Sequence, residues 1–457
     1  MNKRIISALL GAGLALGPIC AHGQDWKTIT RYEKAPVKEQ LTERFLKYVK
    51  MDTQSSSDTD QVPSTKGQKQ MAKQLAKELK KYGVQDVKVN EYSIVTGLIP
   101  SNIKKEVPAI AFLAHMDTAP EISGKDVKPR VIRKYNGQEI VINAESKLAL
   151  NSYTAPLLTK AHGHDLIVAS GGTLLGADDK TGLSIIMTMV QYLYDHPAIS
   201  HGPITIVFTP DEETGAGIEK LDIASLGVDY AYTVDGEDLG ELMTENFNAK
   251  AFTIVFKGNR AVHPGAAQNS AFADNLLMAS DFHTLLPRQQ RPETTADKRG
   301  FIYVDEISNQ GDTSTIKGII RAFSDEEFAS LTSTVQNAFN TVKAMNPRAA
   351  GATLEFKDEY KNMKNSLPPD MIALTKTAMQ AEEITPKEVS ARGGTDGATL
   401  AAAGIPAPDI FAGMYNIHSE LEYADVDVME ASFRTLMRLV TLWAQQNPSN
   451  NASQAAN

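Results

Sequence analysis

The chain has 457 residues, a single cysteine and a formal charge of −9 from 46 basic and 55 acidic side chains. That length accommodates two or three domains. With 42% hydrophobic and 22% charged residues, collagenous, disordered and membrane-embedded classes are excluded, and an acidic chain without a long basic run suits neither nucleic acid nor an anionic membrane surface.

Lys3 and Arg4 precede an apolar stretch from Ile5 to Leu16, and Ala21-His22-Gly23 puts small residues at −3 and −1 of a cut before Gln24. This is the pattern of a secretory signal peptide over residues 1–23, too short to span a membrane comfortably. Gly11, Gly13, Gly17 and Pro18 argue against an ordinary N-terminal helix. Cys20 does not fit a lipoprotein anchor, because Gly17 stands where leucine is wanted and Ile19 where a small residue is wanted. Loss of the segment removes Lys3, Arg4 and the cysteine, and moves the net charge from −9 to −11. A cysteine-free exported chain suits the periplasm or secretion, with cleavage near Gly23/Gln24. No later run offers about 18 uninterrupted apolar residues, so no transmembrane helix is expected.

Met71, Leu75 and Leu79, with Ala72 and Ala76, form a stripe at helical spacing that Gly83 closes. Three continuous apolar runs follow, each ending in polar residues: 108–114 before His115, Ile204–Phe208 before Pro210-Asp-Glu-Glu213, and Tyr230–Val234 before Asp235. Such runs alternating with helices predict an α/β fold with a mainly parallel sheet covered by helices on both faces. From 248 to 362 the texture becomes strand (251–256), helix (270–286), strands at 301–304 and 318–323, a helix over 325–342 with Asp325 near its N-cap, and a strand near 353–356. This reads as an inserted α+β domain. Catalytic segments are then expected at 24–247 and 363–446, the second holding a strand at 408–411 and a closing helix at 428–443. The tail 447–457 is polar and alanine-rich, the composition of a disordered segment.

Four expected strands end in potential metal ligands, and the candidates along the chain are His115 with Asp117, Asp178-Asp179, Glu212-Glu213, Asp235 and His418. In open α/β sheets, ligands bind outside the carboxyl ends of the strands. Two imidazoles and several carboxylates without thiolate suit zinc or a similar divalent ion, and five ligands suffice for two metals sharing a carboxylate. Against this, a lone strand-end histidine is more often structural, Asp179 could serve a helix N-terminus, and Glu212-Glu213 could be surface charge. Asp117, two residues after His115, can hold the imidazole tautomer from behind. Adjacent carboxylates repel, and a nearby metal relieves them: one glutamate can ligate while its neighbour handles protons.

His115-Met-Asp117-Thr118, Leu175-Gly-Ala-Asp178-Asp-Lys-Thr-Gly182, Phe208-Thr-Pro-Asp-Glu212-Glu213 and Tyr232-Thr-Val-Asp235-Gly236 occur in that order. Glu245-Asn-Phe-Asn248, Val262-His263-Pro-Gly265, Ile319-Ile-Arg321, Arg392-Gly-Gly-Thr-Asp-Gly397 and Tyr415-Asn-Ile-His418 follow. Together they resemble the peptidase T family of tripeptide aminopeptidases, in the co-catalytic zinc aminoacylase/carboxypeptidase clan, over roughly residues 40 to 445. The resemblance implies that His115 and Asp235 hold one zinc and Glu213 and His418 the other, with Asp178 bridging; Co2+ or Mn2+ could stand in for Zn2+. It implies that Asp117 orients His115, that Glu212 is the general base, that the Asp178–Asp179 peptide is cis, that the insert over 248–362 is a lid domain, and that His263, Arg321 and Arg392 meet the substrate. Two departures stand beside ligands: Glu237 and Asp238 replace glycines, and Ser419-Glu-Leu-Glu422 replaces Gly-Lys-His-Glu. Neither removes a ligand. An export signal is a third departure, because the family is normally cytoplasmic.

The expected activity is release of the N-terminal residue from short peptides by metal-activated water attack, with an arginine clamping the distal carboxylate and Glu237 or Asp238 as candidates for the α-ammonium. The partner is a short peptide; a homodimer is compatible with this reading, nucleic acid and membrane are not. The rivals are a carboxypeptidase or N-acyl-amino-acid hydrolase of the same clan and a non-catalytic periplasmic peptide-binding protein.

Overall fold

A computed structural model describes residues 25–259, 263–269 and 271–448. The signal-peptide segment, Cys20, the cleavage position and the tail beyond 448 lie outside them. No helix among the described residues is long and apolar enough to cross a membrane.

The larger sheet has eight strands. Its centre is four parallel strands in the spatial order Ile204–Thr209, Ile110–His115, Tyr230–Gly236 and Asp409–Phe411. Val95–Ile99 and Gln85–Val89 extend one side in antiparallel pairing. On the other side, Glu241–Asn246 runs antiparallel to Asp409–Phe411 and parallel to Lys387–Ala391. The central strands are apolar on both faces because both faces are covered. Successive residues point to opposite sides, and Phe112 and Ala114 join one core while Ala111 and Leu113 join another. Helices Lys34–Tyr48, Lys66–Lys81, Ala177–Asp195, Pro369–Ala381 and Val426–Trp443 share the first core. The short helix Asp396–Ala402 covers the second through Leu400. The layered α/β class read from the apolar runs is the one observed.

Lys66–Lys81 shows how sequence becomes packing here. Met71, Ala72, Leu75, Ala76 and Leu79 are buried, the intervening lysines face water, and Gly83 at φ +70° ends the run in a conformation that glycine adopts at no steric cost. Ala177–Asp195 differs: it lies between the sheet and other helices, so nearly all its residues are buried and it has no polar face.

The segment Asn248–Tyr360 forms a separate four-stranded antiparallel sheet in the order Phe301–Gln310, Thr313–Ala322, Asn248–Lys257, Gly351–Tyr360. Helices Asn275–Leu285 and Asp325–Met345 bury Met278, Phe282, Val335 and Phe339 against Phe252, Ile254, Phe256 and Ile316. The second helix is capped by Ser324, whose hydroxyl accepts the Glu327 N–H, and Asp325 is its first residue, not its cap. The chain enters and leaves this domain side by side. Asn362 donates its N–H to Asn248 Oδ1 at 3.0 Å, Met363 donates to Asn246 Oδ1 at 2.8 Å, and Asn246 Nδ2 donates to the Lys361 carbonyl at 3.1 Å.

The apolar pattern does not disclose a third sheet, Met414–Tyr415, Tyr423–Asp425, Leu166–Val168 and Arg130–Ile132. Its strands have two or three residues and pair across distant parts of the chain. One of its hairpins carries His418.

Candidate metal centre

The central strands end together, and their polar residues converge. His115 closes its strand opposite Thr209 in parallel register; Glu212 and Glu213 follow Thr209 by one turn, and Asp235 lies near the end of the next strand. Asp178 enters from the first turn of Ala177–Asp195, where the Asp178–Asp179 peptide is cis. His115 Nε2 lies 2.8 Å from Asp178 Oδ1 and 3.6 Å from Asp235 Oδ1. His418 Nε2 lies 2.8 Å from Glu213 Oε2 and 3.3 Å from Asp178 Oδ2. The two oxygens of Asp178 thus face different histidines, the arrangement of a bridging carboxylate. Asp179 accepts the His115 N–H at 3.2 Å and the Gly182 N–H at 2.9 Å, tying strand end to helix.

Asp117 is fully buried. Its Oδ1 stands 3.3 Å from His115 Nδ1 and its carboxylate accepts the N–H groups of Glu212 and Glu213 at 3.0 and 3.2 Å. Asp211 is held apart from its two neighbours by Ser64 and Gln68, which leaves Glu212 and Glu213 to face the site. Sequence reasoning missed three further carboxylates. Asp409 accepts the Asp235 N–H at 2.9 Å, Asp396 accepts the Thr209 hydroxyl at 2.5 Å, and Glu422 accepts three N–H groups of the turn before Asp178.

So many buried acids raise one another. Burial pushes Glu212 well above the usual carboxylate range. Burial and the charge of Asp178 bring Glu213 to about 7, and burial brings Asp396 to about 6. Asp178 is the exception: hydrogen bonds from His115 and His418 overcome its burial and hold it low. In return Asp178 and Glu213 push His418 up to about 11.

The donor set fits a divalent cation. Glu213 Oε1 and Asp235 Oδ1 are buried and have no hydrogen-bond partner among the described residues; a buried acceptor left this way is costly unless a cation meets it. Atoms of His115, Asp178 and Glu213, and of His115, Asp179 and Asp235, lie within 4.8 Å of one another.

The centre floors a cleft of about 970 Å³ lined from both domains. Arg321 reaches it from the lid, stacked on Tyr360 at 5.2 Å and paired with Glu359 at 2.9 Å. Arg392 also borders it, but its guanidinium donates to the carbonyls of Asp297 and Arg299 at 2.7 and 3.1 Å and so fastens the catalytic segment to the lid. His263 is exposed, accepts the Gly265 N–H and does not line the cleft. Asp238 is neutralised by Lys160 at 2.6 Å, whereas Glu237 borders the cleft.

The family model described as Peptidase family M20/M25/M40 matches residues 169–442. The chain belongs to this peptidase family. Among its M20 relatives, a protein named Peptidase T from Clostridium botulinum (strain Langeland) is 39% identical over 408 residues, covering 89% of this chain and 99% of the relative. A Peptidase T from Caldanaerobacter subterraneus subsp. tengcongensis is 40% identical over 411 residues, with the same coverage. Among solved structures, aminopeptidase PepT from Bacillus cereus superposes with a TM-score of 0.68 at 21% identity, covering 89% of this chain and 99% of that one. A tripeptidase from Staphylococcus aureus superposes at 0.70 with 20% identity, covering 90% and 99%. At those identities the structural likeness shows the M20 fold. A Bacillus subtilis protein of that fold, TM-score 0.62 and 15% identical over 89% of this chain and 98% of that one, is described as a dinuclear metal-binding peptidase.

Proposed function

We propose that this M20 chain is a metal-dependent aminopeptidase that releases the N-terminal residue from short peptides, tripeptides foremost, with two zinc ions as its metals. The observation that carries this reading is the floor of the cleft: Asp178 faces His115 at 2.8 Å and His418 at 3.3 Å, beside two glutamates and below the lid guanidinium of Arg321. End-to-end similarity to proteins named Peptidase T supports the tripeptide preference.

His115 and Asp235 would hold one ion, Glu213 and His418 the other, and Asp178 both. When bound, such a pair polarises a peptide carbonyl and makes water acidic enough to lose a proton near neutral pH. Glu212 takes that proton as the water oxygen bonds to the carbonyl carbon, then delivers it to the leaving nitrogen as the C–N bond breaks. Asp117 keeps Glu212 and His115 in register through the contacts described above. Arg321 is the guanidinium placed to pair with the substrate's distal carboxylate. A carboxylate site at a fixed distance from the metals selects short peptides. Arg392, which borders the cleft and holds the lid through Nη1, supports this recognition from the catalytic segment.

Action after export, in the periplasm or outside the cell, is part of the same proposal and rests on the N-terminal segment. The test is digestion of a peptide library by purified residues 24–457, with and without added zinc, using free and N-acetylated copies of each peptide. Metal-stimulated loss of the first residue from free tripeptides is expected. Preference for the acetylated copies would establish an acylase, and peptide binding without turnover in the zinc-loaded protein would establish a binding protein.

A further inference from the structure

The connection between Met414–Tyr415 and Tyr423–Asp425 touches the centre twice. His418 stands 3.3 Å from the side chain of Asp178. Four residues later Glu422, 1% exposed, engages the backbone that carries Asp178. Its Oε2 accepts the N–H groups of Leu175 at 2.8 Å and Gly176 at 2.6 Å, and its Oε1 accepts the Asp178 N–H at 3.0 Å. Gly176 sits at φ +80°, a conformation open to glycine, and it allows consecutive N–H groups to converge on one acceptor. The connection is itself stiff. Glu422 donates its N–H to the Ser419 carbonyl at 3.1 Å, and Ser419 Oγ donates to the Asn416 carbonyl at 2.6 Å while accepting the Leu421 N–H at 3.2 Å. It thus acts as a bracket, gripping Asp178 by side chain at one end and by main chain at the other.

We propose that Glu422 is a positioning residue that sets Asp178 between the two metal sites, so that metal loading depends on Glu422 although it is not a ligand. The proposal rests on the metal-centre reading above. Only a carboxylate suits the place: it is acceptor-only, with room for three N–H donors on two oxygens. An amide of the same size would turn its own N–H2 toward backbone donors.

The test is zinc affinity, measured by competition with a chelator, for the parent, Glu422→Gln and Glu422→Asp, with circular dichroism of the metal-free proteins as a control for folding. Partners one step behind a ligand are worth about 10–100-fold in metal affinity, so Glu422→Gln should lose at least about tenfold. Glu422→Asp, which keeps the charge and shortens the reach, should fall between. Folded variants that bind two zinc ions per chain with the parent's affinity overturn the proposal and leave the metal centre standing. A parent that binds no zinc ends both. If neither variant folds, hydrogen exchange of the metal-free parent decides: slow amides at Leu175, Gly176 and Asp178 support the bracket, and exchange at exposed-loop rates refutes it.

Discussion

Asp117 Oδ1 lies 3.0 Å from the backbone nitrogen of Glu212 and 3.3 Å from Nδ1 of His115. One buried carboxylate therefore spaces the residue proposed to move protons from a residue proposed to hold metal. Asp117→Asn keeps the shape but offers one acceptor oxygen where two are used. Activity is expected to fall about 10–100-fold, the usual range for a partner behind a metal-binding histidine, with the fold intact by circular dichroism. Unchanged kcat/KM would remove Asp117 from the mechanism.

Glu212 and Glu213 are adjacent in sequence and opposite in expected behaviour. Glu212→Gln should retain both metals while turnover falls by about 10²–10⁴-fold, the worth of general acid–base catalysis. Glu213→Gln should lose metal as well as activity, and excess zinc should restore part of it. Metal analysis paired with kinetics reads the difference; a reversed pattern exchanges the two roles.

Arg321 and Arg392 separate in the same way. Arg321→Ala should raise KM for tripeptides with a free C-terminal carboxylate and change little for their C-terminal amides. Arg392→Ala removes the donors to the Asp297 and Arg299 carbonyls and should affect both substrates alike. Equal effects of Arg321→Ala on acid and amide would place the clamp elsewhere.

The metal-free protein should lose stability as pH rises from about 5 to about 7.5. Burial raises Glu213 and Asp409 to about 7 each in the folded state, against unfolded values of about 4.3 and 3.9. A group raised on folding contributes fully below its unfolded pKa, and the contribution is lost as pH climbs through the folded value. His418, raised to about 11 by Asp178 and Glu213, adds to the same fall above about 6.5. A divalent ion pairs with the ionised carboxylates and should flatten or reverse the slope. Urea titrations in chelator and in zinc at three pH values test this; metal-free stability that rises across the range contradicts it.

Mass spectrometry of the protein recovered from the periplasm or medium should find an N-terminus near Gln24. Soluble, active protein retaining Met1 would refute export by this signal.

What the sequence made legible were features written locally. The apolar run ending in His115 marks a buried strand and its tip in consecutive residues, and alternation of Phe112 and Leu113 between two cores follows from strand geometry. The strands and helices of the inserted α+β domain are also marked locally, although only Phe301–Gln310 and Thr313–Ala322 pair as sequence neighbours and Asn248–Lys257 pairs with strands far along the chain. What was not legible is carried by distant contacts. Glu422 meets Gly176 across 246 residues, Thr209 meets Asp396 across 187, and Asp235 meets Asp409 across 174. No period or spacing announces such a pair. The choice between Glu212 and Glu213 as base came from family resemblance, since two neighbouring glutamates on a loop are equivalent until the fold turns them. Arg392 borders the cleft beside Arg321, and its bonds to the lid carbonyls of Asp297 and Arg299 are again contacts across distant sequence.

The side-by-side crossing at Asn246–Asn248 and Lys361–Met363 bears on how such a molecule could arise and be rebuilt. Because entry and exit are joined by hydrogen bonds of 2.8 to 3.1 Å, the catalytic layers meet the whole insert as they would meet one hairpin loop. Closing that gap costs chain entropy that rises only slowly with the length of what lies beyond it. The roof of the cleft is therefore a cassette, exchangeable at two adjacent cut points for another fold or a short turn, with the strands that present His115 and Asp235 and the helix that presents Asp178 left undisturbed.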